Sequence, residues 1–178
     1  MVQNIVDKVK GFIIDPEESF RQSSADDLGE ALMYFAVLLA INAVLSGIIS
    51  MALGTVTTGI VTVIFDFISW IIGLFVTGIV VHIFVVLFIG GKGIEQTFKV
   101  MMYGATPALL LGWIPLVSII AGLWSLVLYI LGIRELHETT TGKAAAAVIV
   151  PFVLLLVAVT IILAAFVAFF ALSTGAVF

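Results

Sequence analysis

The sequence predicts an all-α integral membrane protein: five transmembrane helices, amino terminus in the cytoplasm and carboxyl terminus outside, with a short amphipathic helix in front. Three observations carry this expectation. Of 178 residues, 63% are hydrophobic and 10% charged, where a soluble domain has roughly half apolar and a quarter charged. Five apolar stretches divide the chain, at about residues 28–53, 61–89, 97–113, 116–133 and 144–172. The seven Lys and Arg occupy alternate junctions. Lys8, Lys10 and Arg21 precede the first stretch, Lys92 and Lys99 mark the junction of the second and third, and Arg134 and Lys143 lie between the fourth and fifth. By the positive-inside rule this alternation puts those junctions in the cytoplasm and requires an odd number of crossings. Ten of the eleven acidic residues fall on the same side, and Asp66 is the exception.

Residues 1–27 read as a cytoplasmic tail ahead of a membrane domain at 28–178. Val2, Ile5, Val6, Val9, Phe12 and Ile13 recur at helical spacing against Gln3, Asp7, Lys8 and Lys10. That pattern suits a helix lying in the membrane interface or one packed under the bundle. Asp15-Pro16-Glu17-Glu18 is a helix start, with Asp15 as cap and Pro16 in the first helical position, and Ser24-Ala25-Asp26-Asp27 repeats the logic at the first span. The first 20 residues carry no continuous apolar run, so the first span is expected to direct insertion.

A helix needs about 20 apolar residues to cross a hydrocarbon core of about 30 Å. The first, second and fifth stretches meet this. The third and fourth are shorter and separated by Ile114 and Pro115 alone, which suggests a tight hairpin; four crossings with a re-entrant segment is the alternative, and the odd count favours five. Small residues share one stripe in each span: Ala36, Ala40, Ala43, Gly47 and Ser50 in the first, Ser69, Gly73 and Thr77 in the second, Gly104, Ala108 and Gly112 in the third, Ser118, Ala121, Gly122, Ser125, Tyr129 and Gly132 in the fourth, and Thr160, Ala164, Ala168 and Ala171 in the fifth. Such stripes suit close helix contacts, within the chain or between copies. Pro107 and Pro151 each remove a backbone donor inside a span and are expected to kink it.

Polar groups at membrane depth are the functional candidates, namely Asn42, Asp66 and His82. Asp66 and His82 stand 16 residues apart, about 24 Å along one helix and about 160° around it, so they cannot pair unless that helix breaks. His82 suits a structural hydrogen bond or a proton relay, and Asn42 an interhelical one. With no cysteine and two histidines, His82 and His137, a transition-metal site has too few ligands. Gly90-Gly91-Lys92-Gly93 and Thr139-Thr140-Thr141-Gly142-Lys143-Ala144 lack the spacing of a phosphate loop and read as turns. No catalytic residue, cofactor or nucleic-acid partner is expected.

An ordered set of motifs carries a family resemblance. It comprises His82-Ile83-Phe84, Gly90-Gly91-Lys92-Gly93, Glu95-Gln96-Thr97-Phe98-Lys99, Tyr103-Gly104-Ala105-Thr106-Pro107, Trp113-Ile114-Pro115 and Ala121-Gly122-Leu123-Trp124. It resembles the Yip-one-domain family of five-span membrane proteins, and the run from Phe12 through Pro16 to Phe20 is similar to the prelude of short prokaryotic-type members. The resemblance implies an adaptor in a prokaryotic plasma membrane, with a tendency to assemble with itself or with related membrane proteins. Eukaryotic relatives associate with Rab-type GTPases and carry a longer cytoplasmic amino-terminal region. Here about 27 residues precede the first span, and no Rab-binding residue is carried over.

The leading expectation is a non-enzymatic membrane scaffold or adaptor that docks partners on its tail and on loops bearing Lys92, Lys99, Arg134 and Lys143. Its first rival is a small oligomeric transporter or channel with Pro107 and Pro151 breaking helices around a midplane site at Asn42 and His82. A second rival is a membrane organiser whose tail senses lipid packing.

Overall fold

A computed structural model describes residues 2–173 apart from the side chains of Val2, Gln3 and Leu172. The expected place of Val2 on the apolar face of the tail helix, and the packing of Leu172 at the end of the fifth stretch, fall outside the described residues. The protein is all-helical among the described residues: α1 (Val2–Ile14), α2 (Pro16–Gln22), a 3-10 turn at Ser23–Ala25, α3 (Leu28–Leu53), α4 (Val56–Ile89), α5 (Ile94–Gly104), α6 (Thr106–Leu111), α7 (Val117–Leu136) and α8 (Thr141–Ser173). Four of these, α3, α4, α7 and α8, are long and apolar enough to cross a membrane.

The helix starts follow local chemistry. The Asp15 carboxylate accepts from the Glu18 N–H at 3.3 Å with Pro16 opening α2, and Asp27 accepts from the Glu30 N–H at 2.8 Å to open α3. Each satisfies a backbone donor that the first helical turn leaves free. α4 begins five residues before the expected residue 61, because Thr55 and Thr58 form a reciprocal capping box. Only Gly54 and Thr55 join α3 to α4, and the two helices approach so closely at Gly47 and Gly59 that a Cβ on Gly59 would lie 2.8 Å from the Gly47 carbonyl oxygen. α4 ends on Gly90, whose φ of 87° is the left-handed cap conformation that glycine adopts without strain.

The third apolar stretch is not one helix. It breaks at Ala105 into α5, of 11 residues, and α6, of six. Pro107 has no N–H to give the Tyr103 carbonyl, and the Thr106 hydroxyl bonds that carbonyl instead at 2.5 Å. Neighbouring helices complete the repair, as the Ser125 hydroxyl of α7 accepts the Ala108 N–H at 3.1 Å and the Tyr34 hydroxyl of α3 bonds Thr106 Oγ1 at 2.8 Å. At the end of α6, Asn42 donates to the Leu109 carbonyl at 2.8 Å and the Trp113 indole to the Leu110 carbonyl at 2.7 Å. Without such partners these groups would be orphans in a medium that offers no water. By contrast, α8 runs unbroken through the buried Pro151.

α5 is the axis of the bundle. Every residue from Thr97 to Gly104 is buried, and α3, α4 and α7 pack around it. α8 leans on α4 and α7, burying Ala144, Ala147 and Val148 near its start. The small-residue stripe at Thr160, Ala164 and Ala168 is exposed, so within the chain it makes no close contact. α1 does not lie free: Phe12 is fully buried, Ile5 and Val9 pack on the core, and Val6, Ile13 and Ile14 face outward.

Candidate functional site

The charged residues, Asp66 excepted, gather at one end of the bundle, where α1, α2 and the junctions α4–α5 and α7–α8 meet. Two polar clusters organise this end, and both are anchored on α5. In the first, the Lys8 ammonium pairs with Asp26 at 2.5 Å, Tyr103 donates to the same Asp26 oxygen, and Lys8 lies 5.2 Å from the centre of the Tyr103 ring. Lys99, 1% exposed, donates to the Ser24 and Asp26 carbonyls at 3.0 and 2.9 Å, supplying the buried charge with acceptors at the end of the 3-10 turn. Burial by itself would raise the Asp26 carboxyl, but the hydrogen bonds from Lys8 and Tyr103, with the Lys8 charge, outweigh it and hold the group below the usual carboxylate range. Behind this cluster Phe12 stacks on Tyr103 at 4.9 Å and meets Phe20 edge-on at 4.9 Å, with Tyr34 5.2 Å from Tyr103.

In the second cluster the two histidines share one hydroxyl. Thr97 Oγ1 lies 2.9 Å from His82 Nδ1 and 3.1 Å from His137 Nε2, and His137 Nδ1 accepts the Lys92 N–H at 2.9 Å. That backbone donor fixes the tautomer of the neutral ring: His137 carries its proton on Nε2 and donates to Thr97, whose hydroxyl also bonds His82 Nδ1. Burial, with smaller contributions from His82 and Lys92, pushes the His137 pKa down to about 4. The ring is therefore neutral at pH 7 and ties the glycine turn at residues 90–93 to the end of α7.

The sequence candidates are thus distributed rather than convergent. His82 joins the histidine cluster, and Asn42 sits at the end of α6, about 18 Å along the central segment from Thr97 if it is counted as continuous helix. Asp66, half-buried, has no hydrogen-bond or ion-pair partner among the described residues, and the unbroken α4 keeps it apart from His82. Of the expected docking cations, Lys92 is exposed and pairs with Glu138, Arg134 bonds Glu17 at 2.7 Å and Glu135 at 2.6 Å, and Lys143 is exposed. Lys99 is corrected. It is buried beneath the tail, because its aliphatic stem follows the core face of α5 and its ammonium finds backbone acceptors there. The cluster of Lys8, Asp26 and Tyr103 escapes sequence reasoning because its members are up to 95 residues apart.

Eight α-helices among the described residues, four of them of membrane-crossing length, with the groups freed around Pro107 met by α3 and α7, define a multi-span helical membrane protein. The family model of the Yip1 domain matches residues 10–163. The chain belongs to this family. No curated protein and no solved structure gave a match.

Proposed function

We propose that the chain is a scaffold or adaptor without catalytic activity, crossing the bilayer five times with its charged end in the cytoplasm. The observation that carries this is the fixed platform built at that end. α1 and α2 are held by buried Phe12 and Phe20, by Lys8 to Asp26 and by Arg134 of α7 to Glu17, while Lys10, Arg21, Lys92 and Lys143 remain exposed. A preorganised charged surface lowers the ordering cost of binding a partner, and rigid support is what a docking face needs. Two things support the fifth crossing: the alternation of Lys and Arg, and the tandem of α5 and α6, which links the charged junction after α4 to the start of α7, whose other end lies at the charged junction before α8.

The test is cross-linking from Lys92 in native membranes, with the captured species identified by mass spectrometry. An adaptor yields a reproducible partner protein whose capture falls when Lys10 and Lys143 are changed to Glu, substitutions that leave the buried anchors in place. Self-cross-links alone would sink the adaptor and favour an oligomeric transporter or organiser.

A further inference from the structure

Midway along the bundle, α4 and α7 stand apart, each packed on α5 and on α8. Between them is a crevice of about 380 Å³, walled by Ser69, Trp70 and Gly73 of α4 and by Gly122 and Tyr129 of α7, with Phe152 of α8 alongside. The small residues there do not receive a neighbouring helix. A Cβ added to Gly73 or to Gly122 meets nothing within 4 Å. Ser69 and Gly122 are exposed, which places the mouth towards the uncharged end. A mostly apolar crevice gains the dispersion contacts of its lining when an apolar group fills it. An α-helix, about 10 Å across with side chains, is too wide for this volume. A single acyl chain is not, and acyl chains are the surrounding medium.

Asp66 stands just beyond the mouth. It lies one turn from Trp70 on the same face of α4, within about 40° of Trp70, Gly73 and Thr77 at 100° per residue. Its distance from Ile89 along the helix is about 35 Å, which reaches the opposite interface of a hydrocarbon core of about 30 Å. It is the one charged side chain away from the charged end, and no described residue neutralises it. A carboxylate there repels an anionic head and complements the ammonium group of a zwitterionic one. Asp66 offers carboxylate oxygens and Ser69, at the mouth, a hydroxyl; a primary ammonium has N–H donors for both, and a quaternary ammonium has none.

We propose that the crevice binds a phospholipid with a primary-ammonium head, one acyl chain lying between α4 and α7 and the head held at Asp66. The site is independent of the adaptor reading.

The experiment equilibrates the full chain with nanodiscs of phosphatidylethanolamine, phosphatidylcholine and phosphatidylglycerol in equal parts, releases it into mild detergent, and weighs the intact complex by native mass spectrometry. One retained lipid per chain is expected, with phosphatidylethanolamine enriched about threefold to tenfold, the ratio that an interfacial ion pair of about 0.7–1.4 kcal/mol provides. Gly73→Leu and Gly122→Leu, at positions where an added Cβ meets nothing within 4 Å, put side chains into the crevice and lose the lipid. Asp66→Asn keeps a lipid but loses the head preference. A wild-type chain that carries no lipid overturns the proposal without recourse to any variant. So does a retained lipid indifferent to both leucines, or a head preference unchanged in Asp66→Asn.

Discussion

Phe12, Phe20, Tyr34 and Tyr103 at the charged end are buried to within 2% of full coverage, whereas Ile161, Ile162, Phe166 and Phe170 in the outer half of α8 are each more than half exposed. Both regions are rich in aromatic and aliphatic residues, and in water both would be buried. In a bilayer only the first has a reason to be, because lipid tails solvate an apolar side chain as well as a neighbouring helix does. What distinguishes the charged end is its polar chemistry: Lys8, Lys99, His82 and His137 all need partners, and α5 supplies Tyr103 and Thr97 for three of them. Cohesion therefore follows the polar groups, and the aromatic cluster closes around them.

This contrast can be broken by measurement. The largest effect is expected from Phe12→Ala, which empties a fully enclosed site and should cost about 3–5 kcal/mol, read as a lower midpoint in mixed-micelle unfolding. An intermediate effect is expected from acid. The folded His137 pKa of about 4 lies below the ordinary value of about 6.5, so the folded state binds fewer protons between those values. The stability this ring contributes is complete above pH 6.5 and is lost as pH falls towards 4. Wild type and His137→Gln should accordingly differ more in unfolding midpoint at pH 7 than at pH 5; an unchanging gap would remove the neutral ring from the account. The smallest effect belongs to Phe166→Ala, on a side chain 63% exposed, at less than about 0.5 kcal/mol. Equal losses for the two phenylalanines would show that the ends are alike after all.

Much of the architecture was legible in the sequence because it depends on short-range signals. Asp15 caps the helix it was expected to cap, the segment Ser24-Ala25-Asp26-Asp27 does open the first span with Asp27 as the residue that caps it, and the first, second, fourth and fifth stretches each fall on a helix of crossing length. Pro107 was legible as a disturbance, but not as a full break, since the outcome depends on whether Thr106, Ser125 and Tyr34 can serve the freed groups. Pro151 shows the converse, being accommodated in a continuous helix. The choice between an interfacial and a packed α1 was settled by Phe12, whose partners Tyr34 and Tyr103 lie far along the chain. Small-residue stripes were the least decisive signal. Gly47 marks a close contact and Gly73 an open wall, and in sequence the two look the same.

The broken central segment also sets an order in time. α3 and α4, joined by Gly54 and Thr55 and in contact at Gly47 and Gly59, can enter the bilayer as a finished pair using only their own residues. α5 and α6 cannot be finished so early. Tyr34 and Asn42 are already waiting for Thr106 and Leu109, but the Ala108 N–H has no acceptor until Ser125 arrives with α7. Until then that donor lacks its partner, and under a five-span topology the newly made chain keeps the segment sheltered, in the insertion machinery or in water, while about 20 further residues are synthesised.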